Sequence, residues 1–339
     1  MKLRTRLSIV ATLLATLGGI TAFLSSGGSG HSQTNSTVRW ESSAQCKACH
    51  EGVYAEWLGS HHQIAFTNPE VKALSDDFRK EECMDCHLPR PLAVTGFGKR
   101  TLPRRTHFDE GVSCISCHLG PDGGIVARND RPEVPCKPKR SEAFFAVEAC
   151  ASCHNQHFTT DQWRASHYAA LGTDCSSCHM PEVQRVRADK SARMGRGHVF
   201  TGCHDKEYLR TAGKFLVVRD GIELVLSLQN TNTGHNFPTE ERHRAVDMLY
   251  RFVTASGAGE WQRAYRFRMP YRDEAEPINP GNASGENTQL PAGATKVVRV
   301  PMLADAIAVE ARLWYRLTPY CGDDDPRSTL LEERRVELR

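Results

Sequence analysis

The stretch "CISCH", residues 114–118, sets two cysteines around two residues and puts a histidine directly after the second. The same spacing stands at Cys46-Lys47-Ala48-Cys49-His50, Cys83-Met84-Asp85-Cys86-His87, Cys150-Ala151-Ser152-Cys153-His154 and Cys175-Ser176-Ser177-Cys178-His179, so ten of the 13 cysteines share one kind of motif. Two thiols so spaced can add across the two vinyl groups of one haem, and the next residue then lies beneath the porphyrin with its imidazole at the iron. A zinc site would use two Cys-x-x-Cys pairs as four ligands and would not require a histidine after each. A redox dithiol would occur once, with an exposed first cysteine, and a disulfide framework would not hold the spacing at two. The repeats therefore read as five covalently bound haem c groups. Their thioether bonds fall at Cys46, Cys49, Cys83, Cys86, Cys114, Cys117, Cys150, Cys153, Cys175 and Cys178, with His50, His87, His118, His154 and His179 as proximal iron ligands.

The intervals between first cysteines are 37, 31, 36 and 25 residues, too short for separate domains, so neighbouring haems must share one compact array. With 40% apolar and 8% aromatic residues, the chain of 339 has modest material for a conventional core, and flat apolar porphyrins supply the missing surface in the first half. Residues 40–205 are expected to stay largely unfolded without them. The formal charge of +3 comes from Lys2, Arg4 and Arg6, and without them 40 basic residues face 40 acidic ones. Haem propionates push this balance negative, which argues against a nucleic-acid partner.

Lys2, Arg4 and Arg6 precede an 18-residue apolar run, Leu7 to Leu24, and then Ser and Gly. Residues 1–30 read as an export signal or an uncleaved membrane anchor, and 31–39 as a linker. The working part is therefore expected in the periplasm or on the extracellular face. From 40 to 211 short helical stretches alternate with the motifs, and "TTDQWRASHYAALG" (159–172) reads as one helix with a Thr159/Gln162 capping box and a stop at Gly172. From 212 to 339 the texture changes to six or seven strand-like runs, among them "IELVLSLQN" and "AVEARLWYRL", separated by Gly, Asn and Pro. The expected fold is a mainly α, haem-packed cytochrome domain over 40–211 followed by an all-β sandwich-like domain over 212–339, with "EERRVELR" as a solvated charged end.

What fills the far side of each iron separates an electron carrier from a catalyst. "WLGSHH" and "WRASHY" repeat tryptophan, serine and histidine at i, i+3 and i+4, which on a helix would share one face and aim His61 and His167 at iron, with His62 as the alternative to His61. His157, His204 and His243 read as surface or propionate-contacting residues. "FTGCH", with Cys203 and His204, lacks the first cysteine of a sixth site, and Cys136, Cys203 and Cys321 can include one disulfide whose pairing the sequence leaves open.

Trp-x-x-Ser-His, a histidine seven residues before a motif in "HFDEGVSCISCH", and a Gly-His-x-Phe stretch after the last motif resemble bacterial multihaem cytochromes c. The resemblance covers residues 41–205 and extends to the tetrahaem cytochromes that accept electrons from hydroxylamine oxidoreductase. It implies that His107 and His198 are distal ligands. "TGHNFPTEE" similarly resembles a loop of multihaem cytochromes with a carboxy-terminal β-domain, with Glu240 where the family's loop has glycine, and this implies that His235 reaches back to a haem. Five bis-histidine irons would suit a relay between redox proteins, such as a quinol-linked membrane cytochrome and a terminal reductase or oxidase. The alternatives are an enzyme acting on nitrite or hydroxylamine, and a docking subunit of an electron-transfer complex. Pentahaem nitrite reductases resemble the chain in haem number but carry a lysine-ligated catalytic haem, and no Cys-x-x-Cys-Lys occurs here, which favours a carrier over an enzyme.

Overall fold

A computed structural model describes residues 38–186, 190–239, 242–271 and 275–338. The leader, nearly all of the expected linker, and Glu240 lie outside the described residues. Arg39–Arg339 form one compact unit. Its first part is built from helices of three to eight residues joined by turns, and its last part is β. This is the mainly α region followed by an all-β, sandwich-like one that the sequence pattern predicts.

The first part has little core of its own. Its hydrophobic cluster comprises only Phe78, Met84 and Leu88, with Phe66, Val71 and Cys83 packed on it. Local polar contacts shape the motifs instead. The helix Cys114–His118 starts at a reciprocal capping box between Ser113 and Ser116, and Cys175–His179 starts at Asp174, whose carboxylate accepts from the Ser177 N–H. The fourth motif ends the helix Glu148–His154. Two strand pairs complete this part: β1 (Val126–Ala127) lies parallel to β2 (Lys139–Arg140), and β3 (Glu182–Val186) forms an antiparallel hairpin with β4 (Ala192–Arg196).

One helix was expected over 159–172, but the chain forms two, Thr159–Arg164 and His167–Ala170. Ser166 is extended between them, and its hydroxyl donates to the Trp163 carbonyl. The other copy of the repeat behaves alike: the helix Glu51–Leu58 ends after Trp57, and Ser60 donates to the Trp57 carbonyl. A serine bonded back to a carbonyl competes with the helical ladder, so tryptophan and histidine do not share one helical face in either copy. Gln162 does not close a capping box either; its carbonyl accepts from the Asn236 N–H and the Thr239 hydroxyl in the β part.

The sandwich pairs two sheets. β5 (Gly213–Asp220), β6 (Glu223–Asn230) and β10 (Thr295–Pro301) form one, in the order β10-β6-β5. The other contains β7 (Ala245–Thr254), β8 (Gly257–Ala258), β9 (Gln262–Phe267), β11 (Ala308–Arg316) and β12 (Ser328–Glu337), with β11 between β7 and β12. Alternation in β5 and β6 sends Phe215, Val217, Leu224, Leu226 and Leu228 inward against Val246, Met248, Val309 and Leu313. The expected charged tail is strand β12. Its charges stand on a sheet edge, where Arg312 pairs with Glu333 and Arg335 with Glu310 across the strands, an arrangement that also guards the edge against pairing with other chains.

Asp247 is the buried ion of the second sheet, accepting from Arg266 and Arg316 while Arg316 also donates to Asp323. Burial alone would raise its carboxyl, but the two guanidinium groups hold it below the ordinary 3.8. Asp247→Ala would strand two buried cations, and a loss of about 3–5 kcal/mol in urea unfolding is expected. Because the folded value is depressed, the contribution of Asp247 is complete above 3.8 and disappears as pH falls through the folded value. Acid titration of the variant should accordingly lose the steepest part of the wild-type decline below pH 4, roughly the unfolded carboxylate value.

Candidate haem centres

Nδ1 lies within hydrogen-bonding distance of a backbone carbonyl at His87 (Ala65, 2.9 Å), His118 (Val126, 3.0 Å), His179 (Thr201, 2.6 Å), His198 (Arg196, 2.9 Å) and His235 (Asn236, 3.0 Å). A proton held on Nδ1 leaves Nε2 as the free donor, and such a bond orients an imidazole and raises its basicity toward a metal. Burial lowers His118 and His50, and takes His198 down to about 4 with help from the neighbouring His118. These rings are therefore neutral, the form that binds iron.

Among the described residues three motif histidines have the ring of a histidine outside the motifs at closely similar separations. His118 and His198 have centroids 6.3 Å apart, His179 and His235 6.2 Å, and His62 and His154 6.1 Å. A metal–imidazole bond is about 2 Å and the ring centroid lies roughly 1.2 Å behind the bonded nitrogen, so two imidazoles holding one iron between them would have centroids about 6.4 Å apart. Each pair joins a motif histidine to a histidine outside the motifs. The donor set thus fits a covalently attached haem, whose iron the two imidazoles of a pair would hold between them.

Sequence reasoning places His61 opposite an iron, yet its ring stacks on His204 at 3.7 Å, and His62 faces His154 instead. Both His61 and His204 are pushed down to about 4, chiefly by burial. His62 owes its place to a distant segment. The Val112 N–H donates to the His62 carbonyl, and the Trp57 indole donates to the Val112 carbonyl. Gly111, at φ +48°, comes so close that a Cβ there would lie 2.4 Å from the His62 carbonyl oxygen. In the second copy the Trp163 indole likewise donates to Thr173, two residues before Cys175, as Val112 is before Cys114.

Among the described residues His107 and His167 face no motif histidine at the separation of the three pairs. His107 adopts the left-handed conformation before the turn Phe108–Glu110, and His167 packs on Tyr168 with centroids 4.2 Å apart. His107 is nonetheless on the segment docked to the first motif: Glu110 accepts from Ser42 and Ser43, and the Ser43 hydroxyl accepts from the Cys114 N–H. His243 bonds the Tyr271 hydroxyl.

His235 is set by the β part. Asn230, buried at the end of β6, donates to the His235 and Leu290 carbonyls and accepts from Thr233, while Phe237 enters the sandwich core. Sequence reasoning missed this asparagine because its side chain bonds main-chain atoms rather than a recognisable partner. The motifs also adjoin one another: the Cys46 thiol meets Cys114, Cys86 meets Cys153, and Cys150 meets Cys175. Cys136, Cys203 and Cys321 form no disulfide. The Cys321 thiol donates to the Thr318 carbonyl, and Cys203 packs on the sandwich core.

Residues 45–119 match the family model "Cytochrome c554 and c-prime". The fold is similar to the crystal structure of a penta-heme cytochrome c552 from Thermochromatium tepidum, with a TM-score of 0.62 and 18% identity over 88% of this chain and 99% of that one. Among curated proteins no sequence relative matches. The fold is thus that of a multihaem c-type cytochrome, and residues 45–119, with three of the five Cys-x-x-Cys-His motifs, carry the similarity in sequence. Among the described residues no helix is long and apolar enough to cross a membrane.

Proposed function

We propose that this chain is an extracytoplasmic pentahaem cytochrome that relays electrons between redox proteins, with a haem domain over 40–211 and a β-sandwich domain over 212–339. The carrying observation is the set of three facing imidazole pairs, each joining a motif histidine to a distal one. Two nitrogen ligands keep an iron low-spin and closed to substrate, so little rearranges when its charge changes. The haem, when bound, would supply the redox couple; the chain would hold it with the imidazoles, orients His87, His118, His179, His198 and His235 through backbone carbonyls, and brings neighbouring attachment cysteines together, which would set one haem beside the next. His118 pairs with His198, His179 with His235, and His154 with His62. His107 is proposed for the first haem, whose motif lies against its segment, which leaves the haem of His87 for one of His61 and His167, the donors proposed from the repeat. A quinol-linked membrane cytochrome would be the donor and a terminal reductase or oxidase the acceptor, with residues 1–30 directing export or anchoring the chain.

Two measurements test this reading. The mass of the mature protein should exceed that of its polypeptide by five haems. Voltammetry of the adsorbed protein should show reversible one-electron waves that nitrite and hydroxylamine leave unchanged; a catalytic current with either compound would replace the relay by an enzyme.

A further inference from the structure

Glu56 lies on the helix Glu51–Leu58, far in sequence from His198, yet its carboxylate accepts from the His198 backbone N–H at 2.8 Å. Arg185 on β3 donates to both oxygens of the same carboxylate, at 2.7 and 2.5 Å, and both side chains are largely buried, at 23% and 17% exposure. Arg185 also donates to the Arg196 carbonyl at 2.7 Å. That carbonyl is the acceptor for His198 Nδ1. One ion pair therefore holds the histidine at two points, its own backbone N–H and the carbonyl that fixes its tautomer. Glu56 also borders a cavity of about 150 Å³ lined in addition by His179, Gly197 and Thr201.

We infer that Glu56 and Arg185 are positioning residues for His198, which set the orientation and basicity of that imidazole and through it the potential of the haem attached at Cys114 and Cys117. This rests on the proposed His118/His198 pair. The two side chains act with opposite sign. Without the carboxylate charge, Arg185 leaves a net positive charge near the iron, which disfavours the ferric state. Without the guanidinium, Glu56 leaves a net negative charge, and the Arg196 carbonyl becomes free to accept more strongly from His198, which favours the ferric state.

The test is spectroelectrochemical titration of the five-haem protein. Glu56→Gln should raise the potential of one haem and Arg185→Met should lower it, each by about tenfold in the reduction equilibrium, 59 mV for one electron. The double variant should return near the wild type, and Arg185→Lys should largely rescue. A purely structural brace would move both single variants in the same direction or lower haem content. Shifts of the same sign, or none, overturn the inference provided His198→Ala makes one haem high-spin. If His198→Ala leaves every haem low-spin, the proposed pair itself fails.

Discussion

Replacing His235 by alanine is expected to turn one haem from low-spin to high-spin and to let it bind one equivalent of carbon monoxide when reduced, while the others keep their spectra. The expectation follows from the His179/His235 geometry: centroids 6.2 Å apart, planes within 10°, and Nδ1 of each ring at a carbonyl. His235 stands on a loop built by the sandwich, so its removal opens the iron without disturbing the motif helix Cys175–His179. Asn230→Ala should have a weaker effect of the same kind, since it frees the His235 carbonyl and leaves buried acceptors unpaired at about 1–3 kcal/mol. Unchanged low-spin spectra in His235→Ala would remove the link between sandwich and haem.

Chain produced without haem attachment is expected to lose the structure of its first part and to keep strands in the second. Among the described residues three buried side chains form the hydrophobic cluster near Met84, against 18 in the cluster that fills the sandwich and takes in Leu209 from the helix before it. Helices of three to eight residues are below the length at which helices persist alone, because nucleation costs more than a few hydrogen bonds return. Porphyrin faces must supply the missing contacts. Circular dichroism should show a β spectrum with little helix, and limited proteolysis should leave a fragment beginning between Asp205 and Gly213. Protection of the motif helices in the haem-free chain would contradict this.

Much of this was legible in advance, for identifiable reasons. Covalent attachment leaves a fixed local signature, so the five motifs needed no tertiary information. Burial on one sheet face leaves a period of two, which exposed β5, β6 and β11; β12 was hidden because its outward charges read as solvated when the partner strand is not in view. The proposed place of His62, rather than His61, opposite His154 is not local at all. It depends on Gly111 and Val112 docking beneath His62, a contact made some fifty residues along the chain. The helix breaks after Trp57 and Trp163 rest on a serine hydroxyl turned back on the main chain, an effect that spacing rules omit. Glu56 and Arg185 are unremarkable in sequence and acquire a role only because a hairpin brings Arg185 back to the first helical segment.

The central claim is that electrons cross irons held between His62 and His154, His118 and His198, and His179 and His235. Low-temperature electron paramagnetic resonance of the oxidised holoprotein, with spin quantitation and a carbon monoxide titration of the reduced form, tests it most directly. The account predicts low-spin ferric haem for at least three of the five irons, and carbon monoxide uptake by no more than two. High-spin signals from three or more irons, or uptake of three or more equivalents, would contradict it.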